Sequence, residues 1–201
     1  MSVSAADVKA LRDRTGAAMM DCKAALAESE GDVDRAIEIL RVKGQASAAK
    51  REGRGTSEGV VASYIHANDK VGAMVEVQCE TDFVARNEDF KAFAYEVALH
   101  VAAAAPKYVS SDEIPAEERE AEKRVFEEKA REDGKHDNVV EKIVAGQLNK
   151  WAQEVALLDQ AHVNADKHDS KSIEELRQEL AAKTGENIRV ARFSYFRVGD
   201  A

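Results

Sequence analysis

The apolar residues of this chain change their spacing at Glu58, and that change limits the fold more than any other feature. Before it they recur three and four residues apart: Val8 and Leu11, then Cys22, Ala25 and Leu26, then Val33, Ala36, Ile37 and Leu40. Such spacing lines one face of a helix. After it they fall on every second residue: Val60, Ala62 and Tyr64, then Val71, Ala73, Val75 and Val77. Successive side chains of a strand point to opposite faces, so these runs predict two strands with one buried face. Asn68-Asp69 supplies turn chemistry between them, which makes the pair a hairpin. Helices first, then strands, with no βαβ repeat, define an α+β chain and not a doubly wound one.

The front helices carry their own punctuation. Ser4 with Asp7 predicts the first start, because a serine oxygen accepts a free amide of the first turn. Thr15-Gly16 predicts the first stop, since glycine tolerates left-handed geometry. Asp21 is expected to cap a second helix and Asp32 a third, with a turn at Gly31 and a stop at Gly44. Each helix is too short to stand alone. They are expected to pack around Val8, Leu11, Met19, Leu26, Val33, Ile37 and Leu40. So small a core suits a module that presents a surface. Met19-Met20 beside the glycine turn either forms adaptable contact surface or fills the miniature core. Residues 45–57, QASAAKREGRGTS, hold no large apolar side chain. The expected organisation is a three-helix domain at 1–45, a linker at 46–55 and an α+β core domain at 56–201.

Within the core, Phe90, Phe93, Ala94, Val97, Val101 and Ala104 predict a helix from about Asn87 to Ala104, closed by Pro106. Pro115 is expected at the first position of a helical region spanning 110–134, whose only large apolar anchors are Val125 and Phe126. A further helix runs through VVEKIVAGQLNKWAQEVAL. Ser172 with Glu175 predicts a capping box before another, which Gly185 ends. The tail NIRVARFSYFRV alternates with apolar groups on both faces, as in a strand covered on both sides or exposing one side to a partner. With the hairpin it makes an antiparallel sheet of at least three strands.

Composition excludes several functions. Lys and Arg number 29 against 38 Asp and Glu, a net charge of −9. A general nucleic-acid binder carries a basic surplus, so direct nucleic-acid binding is not expected. The basic run Arg41, Lys43, Lys50, Arg51 and Arg54 reads as a linker or local protein contact. Cys22 and Cys79 stand 57 residues apart with no C-x-x-C pairing, so neither a zinc site nor a needed disulfide is indicated. No apolar run reaches the ~20 residues of a membrane helix, and the start lacks the form of a signal peptide. The cytoplasm is the expected location. Nucleotide-binding, hydrolase and zinc-protease signatures are absent. His66, His100, His136, His162 and His168 form no tight ligand constellation in the sequence. No catalytic residue, metal or cofactor is therefore expected.

One segment stands apart: Thr81-Asp82-Phe83-Val84-Ala85-Arg86-Asn87, between a strand and a helix. It sets a carboxylate, a large aromatic and a guanidinium side by side. Asp82 can cap a turn while Phe83 anchors the loop to the core. Alternatively Phe83 enters a partner's pocket while Asp82 and Arg86 make directional polar bonds, a combination that dominates many interfaces.

CETDFVARN at 79–87, TGAAMMDCKAAL at 15–26, DVDRAIEILRVKG at 32–44 and TGENIRVARF at 184–193 resemble the bacterial elongation factor Ts family in order and spacing. The resemblance spans the whole chain and matches the short form with one core unit. It implies a ubiquitin-associated-like domain at the front. It also implies a guanine-nucleotide exchange factor that binds elongation factor Tu in its GDP state and promotes GDP release during translation elongation. Asp82, Phe83, Val84, Arg86 and Asn87 would then belong to the loop that disturbs the partner's magnesium and phosphate site. Thr15, Gly16, Met19, Met20, Asp21 and Lys23 would belong to the docking surface of the front module. Ala24 stands where many relatives carry a second lysine. A single core unit implies a non-covalent homodimer through the C-terminal strand, and Ser194 stands where one short type links its strands by cysteine.

Overall fold

The computed structural model describes residues 3–134 and 136–200. The first two residues of the domain expected at 1–45 lie outside them.

Three helices open the chain: α1 (Ala5–Thr15), α2 (Met19–Glu28) and α3 (Val33–Ala49). Ser4 and Asp7 form a reciprocal capping box on α1, and Gly16 closes it in the left-handed region at φ 69°. Asp32 caps α3 by accepting the Arg35 amide at 3.0 Å. Two expectations fail here. Asp21 is not a cap: α2 begins at Met19 after an Ala18 cap, and Asp21 sits in its first turn beside the positive end of the helix dipole. Gly44 does not stop α3. A Cβ there would lie 3.3 Å from the Ala182 Cβ, so Gly44 is a point of close helix approach within a continuing helix.

The small core consists of Val8, Leu11, Cys22, Ala25, Leu26, Ala36 and Leu40, with Ile37 packed against it. Met19 and Val33, expected inside, are exposed. Both open their helices, and Cys22 and Ala36, three residues further on, fill the interior in their place.

The strands are β1 (Glu58–Ile65), β2 (Val71–Cys79) and β3 (Arg189–Arg197), in the order β1-β2-β3 in an antiparallel sheet. Ala73, Val75, Val77 and Cys79 of β2 are buried while Met74 faces out, as the alternation requires. Between β2 and β3 lie α4 (Asp82–Ala85), α5 (Glu88–Ala104), α6 (Ala116–Glu132), α7 (Asp137–Val155), α8 (Ala165–His168) and α9 (Ile173–Thr184). Asn87 accepts the Asp89 amide at 2.8 Å at the start of α5, as its capping chemistry predicted. Pro115 precedes α6 by one position instead of opening it. Phe126, Ala130, Val140, Val144 and Leu148 form the seam of α6 with α7.

The chain divides into two compact units. The first holds the described residues of Met1–Val61 with Val77–Ala94 and Glu175–Arg189. The second holds the described residues of Ala62–Glu76, Tyr95–Glu174 and Val190–Ala201. The front helices, the 79–87 segment and most of α9 thus share the first unit.

Candidate functional site

The 79–87 segment is not the plain loop that its position suggested. Thr81 is extended, at φ −128° and ψ 156°, and the chain then turns once as α4. The single turn has one buried residue, Ala85, with Asp82 half-buried beside it, and this inward anchor leaves Phe83 facing out. Phe83 is 82% exposed, so it is not a core anchor. Val84 is half-buried, and Arg86 and Asn87 are exposed. Arg86 bonds Asp82 at 3.0 Å across the turn. Since the Arg86 side chain is largely open to solvent and that of Asp82 about half open, this pair is weak and readily exchanged for other partners.

The turn is held from its N-terminal side. Glu186 Oε2 accepts the amides of Glu80 and Thr81 at 3.0 and 3.1 Å, and its Oε1 accepts the Thr81 hydroxyl at 2.5 Å. Cys79 donates its thiol proton to the Thr81 carbonyl at 3.2 Å. Burial, with the nearby Glu186 charge, pushes that thiol up to about 11, which keeps the proton in place at neutral pH.

The second group lies at the α1–α2 turn. Thr15 donates its hydroxyl to Leu11 O at 2.8 Å and accepts the Ala17 amide at 3.3 Å. Lys183 of α9 covers Gly16: a Cβ on that glycine would lie 3.2 Å from the lysine Cδ. The same lysine bonds Asp89 at 2.7 Å. Met20 is 72% exposed and Met19 45%, while Asp21 and Lys23 also face solvent. Of the two readings of the methionines, core filling is therefore excluded, and both side chains lie at the surface. The structure pairs Asp82 with Arg86 directly. The Gly16 turn and the start of α5, which follows the 79–87 segment, meet at Lys183. Sequence reasoning did not single out Lys183 or Glu186, although the matching stretch TGENIRVARF contains the latter.

The second unit holds a cluster that no sequence motif announces. His162 and His168 converge on Glu96, each with Nε2 3.4 Å from Glu96 Oε2. These three offer ligand atoms within 4.8 Å of one another. The surroundings do not suit a metal ion. The Asn164 amide donates to His162 Nδ1 at 3.1 Å, which fixes the proton of the neutral ring on Nε2, the atom a metal would need. Lys167 already pairs with the Glu96 carboxylate. His100 accepts the Val163 amide at Nδ1 at 3.1 Å and bonds Gln160 at 2.8 Å through Nε2. Burial pushes both His100 and His162 below the ordinary histidine range. The cluster is a polar latch in which His162 and His168 close on a carboxylate anchored by Lys167.

The comparisons with known proteins bear on the whole chain. The family model described as Elongation factor TS matches residues 4–169. Elongation factor Ts of Geobacter sulfurreducens is 49% identical over 200 residues, covering 100% of this chain and 91% of the relative. That of Thermosipho melanesiensis is 48% identical over 198 residues, covering 98% and 100%. That of Herpetosiphon aurantiacus is 52% identical over 199 residues, covering 99% of each. With near-complete coverage of both partners and a family model across most of its length, the chain belongs to the elongation factor Ts family.

Proposed function

We propose that this chain is the guanine-nucleotide exchange factor for elongation factor Tu and acts in the cytoplasm during translation elongation. The single observation that carries the reading is Phe83, a large aromatic 82% exposed on a one-turn helix whose base is clamped. An exposed aromatic ring on a held turn is a preorganised anchor of the kind that dominates protein interfaces. Phe83 enters the nucleotide-binding domain of the GTPase. Asp82 and Arg86 exchange their mutual bond for polar bonds to the partner, beside Val84 and Asn87. The magnesium surroundings and phosphate cradle are disturbed and GDP leaves faster. Magnesium and nucleotide belong to the partner. The chain is not an enzyme: it speeds a dissociation and makes or breaks no covalent bond. It needs no direct contact with nucleic acid.

The front module, residues 1–45, is a ubiquitin-associated-like domain joined through 46–55 to the core domain. It docks on the same GTPase through Thr15, Gly16, Met19, Met20, Asp21 and Lys23. Stopped-flow release of labelled GDP from elongation factor Tu tests the whole reading. Release accelerates with added chain if the reading holds; an unchanged rate at saturating chain removes it.

A second copy of the chain is a further partner. Met74 and Phe196 share one parity with the Glu76–Arg192 pair, and Ile65 lies against Gly72 on that side. Phe196, Ile65 and Met74 are 67%, 62% and 50% exposed. An edge strand with such a face readily pairs with its own copy. The homodimer is non-covalent, with Ser194 at the seam. Sedimentation equilibrium with reductant present is expected to show twice the 22.0 kDa chain mass. A monomer at high concentration removes this partner.

A further inference from the structure

Two segments of the first unit grip each other through carboxylates. Residues 79–81 lead out of β2 into α4, and residues 185–187 lead out of α9 into β3. Glu186 takes both free amides and the hydroxyl at the base of α4, at 3.0, 3.1 and 2.5 Å. In return Glu80 Oε1 accepts the Asn187 amide at 2.6 Å. Asn187 donates its side-chain nitrogen to the carbonyls of Glu52 and Arg54 at 3.2 and 2.9 Å, which ties in the chain that follows α3. Charge-assisted bonds of this kind are stronger than neutral ones.

The position of Thr81 shows what this costs α4. Thr81 is the N-cap residue, and a threonine there ordinarily folds its hydroxyl back onto a first-turn amide. No side-chain cap bond forms on α4, because that hydroxyl is committed to Glu186. One helical turn has almost no stability of its own. The direction in which α4 projects Phe83 is therefore set from outside, by the end of α9.

We propose that Glu186 is a positioning residue for nucleotide release. It acts through Glu80 and Thr81 to hold α4 at the angle at which Phe83 enters the partner. Lys183, one turn earlier, does the same for the Gly16 turn ahead of Met19 and Met20, through its methylenes over that glycine and its bond to Asp89. One helix end thus sets both docking segments. The inference rests on the exchange-factor reading above, and its test separates the two.

The experiment measures GDP release from elongation factor Tu as a function of the concentration of the full chain, for wild type, Glu186→Ala, Thr81→Val, Phe83→Ala and the Phe83→Ala/Glu186→Ala double variant. Misplacing a docking group by about an ångström is expected to lower the maximal rate about tenfold in Glu186→Ala. The half-saturating concentration stays within about twofold, because the Met19-Met20 surface still docks. Amide exchange at Glu80 and Thr81 rises in the free variant. The double variant is no slower than Phe83→Ala alone, since a residue that acts through Phe83 has nothing left to position. Thr81→Val is nearly isosteric, removes the hydroxyl bond alone, and is also expected to lower the maximal rate. It decides the matter by the same criteria if Glu186→Ala does not fold. A wild-type maximal rate in Glu186→Ala, or an effect on half-saturation alone, overturns the positioning role. So does a double variant slowed by the product of the single effects. If Phe83→Ala itself exchanges at the wild-type rate, the entry of Phe83 falls and this inference with it.

Discussion

Replacing Phe83 with alanine separates binding from stability, because the ring is 82% exposed in the free chain. Truncating an exposed side chain away from caps and networks changes stability by no more than about 0.5 kcal/mol. Thermal and urea midpoints should therefore barely move. In the complex the same ring has most of its surface left to bury. Full burial of a phenylalanine side chain is worth roughly 1.5–3 kcal/mol, and four-fifths of that is about 1.2–2.4 kcal/mol. At 1.36 kcal/mol per factor of ten, the loss is about 8- to 60-fold in the efficiency of catalysed GDP release. Stopped-flow release of labelled GDP across a concentration series of the variant measures it. Phe83→Leu, which keeps part of the apolar surface, should fall between the two. Wild-type efficiency in Phe83→Ala with an intact fold refutes the reasoning. A large loss of stability refutes it as well, because an 82% exposed ring cannot support the core.

Three further outcomes follow from the fold. Gly59→Ala would put a Cβ 2.2 Å from the Val77 carbonyl oxygen, so urea denaturation should show a loss of about 1–3 kcal/mol or more, and an unchanged midpoint would mean that the β1–β2 register differs. Leu26→Ala empties the centre of the three-helix core, and about 2–5 kcal/mol of local stability should disappear, read as faster amide exchange in α1–α3. His100 and His162 are held below their unfolded value near 6.5, so the unfolded chain binds the extra protons. Their contribution is present above that value and is lost as pH falls through it. The melting midpoint should thus drop as pH falls below about 6.5, and more gently in His162→Gln. Glu96 is also lowered, but against its burial: burial alone would raise it, and the bonds from Lys167 and His168 outweigh burial and lower it, so its contribution is present above the ordinary carboxylate range and is lost only at more acid pH.

What the sequence determined by itself are the features whose causes lie within a few residues. The Ser4–Asp7 box, the Gly16 stop, the Asp32 cap and the turn at Asn68-Asp69 are local backbone chemistry, and each is found where its residues predicted. The β2 alternation marked its buried face because the strand period is two. The stretch at 79–87 was legible as exceptional from its residue types, and the family from its motifs.

Only the tertiary structure decided the rest. Gly44 reads as a stop until Ala182 arrives beside it and gives a mid-helix glycine a packing reason. Met19 and Val33 have the right apolarity for a core, but helix phase and start position turn them outward and leave smaller residues inside. His162, His168 and Glu96 are scattered in sequence and meet only after α5 and the 161–172 segment are packed. The grip of Glu186 on Thr81 crosses 105 residues, and no local preference encodes a bond between groups that only chain closure brings together. Sequence told which residues a partner would want; closure of the chain decided which of them are offered and how firmly they are held.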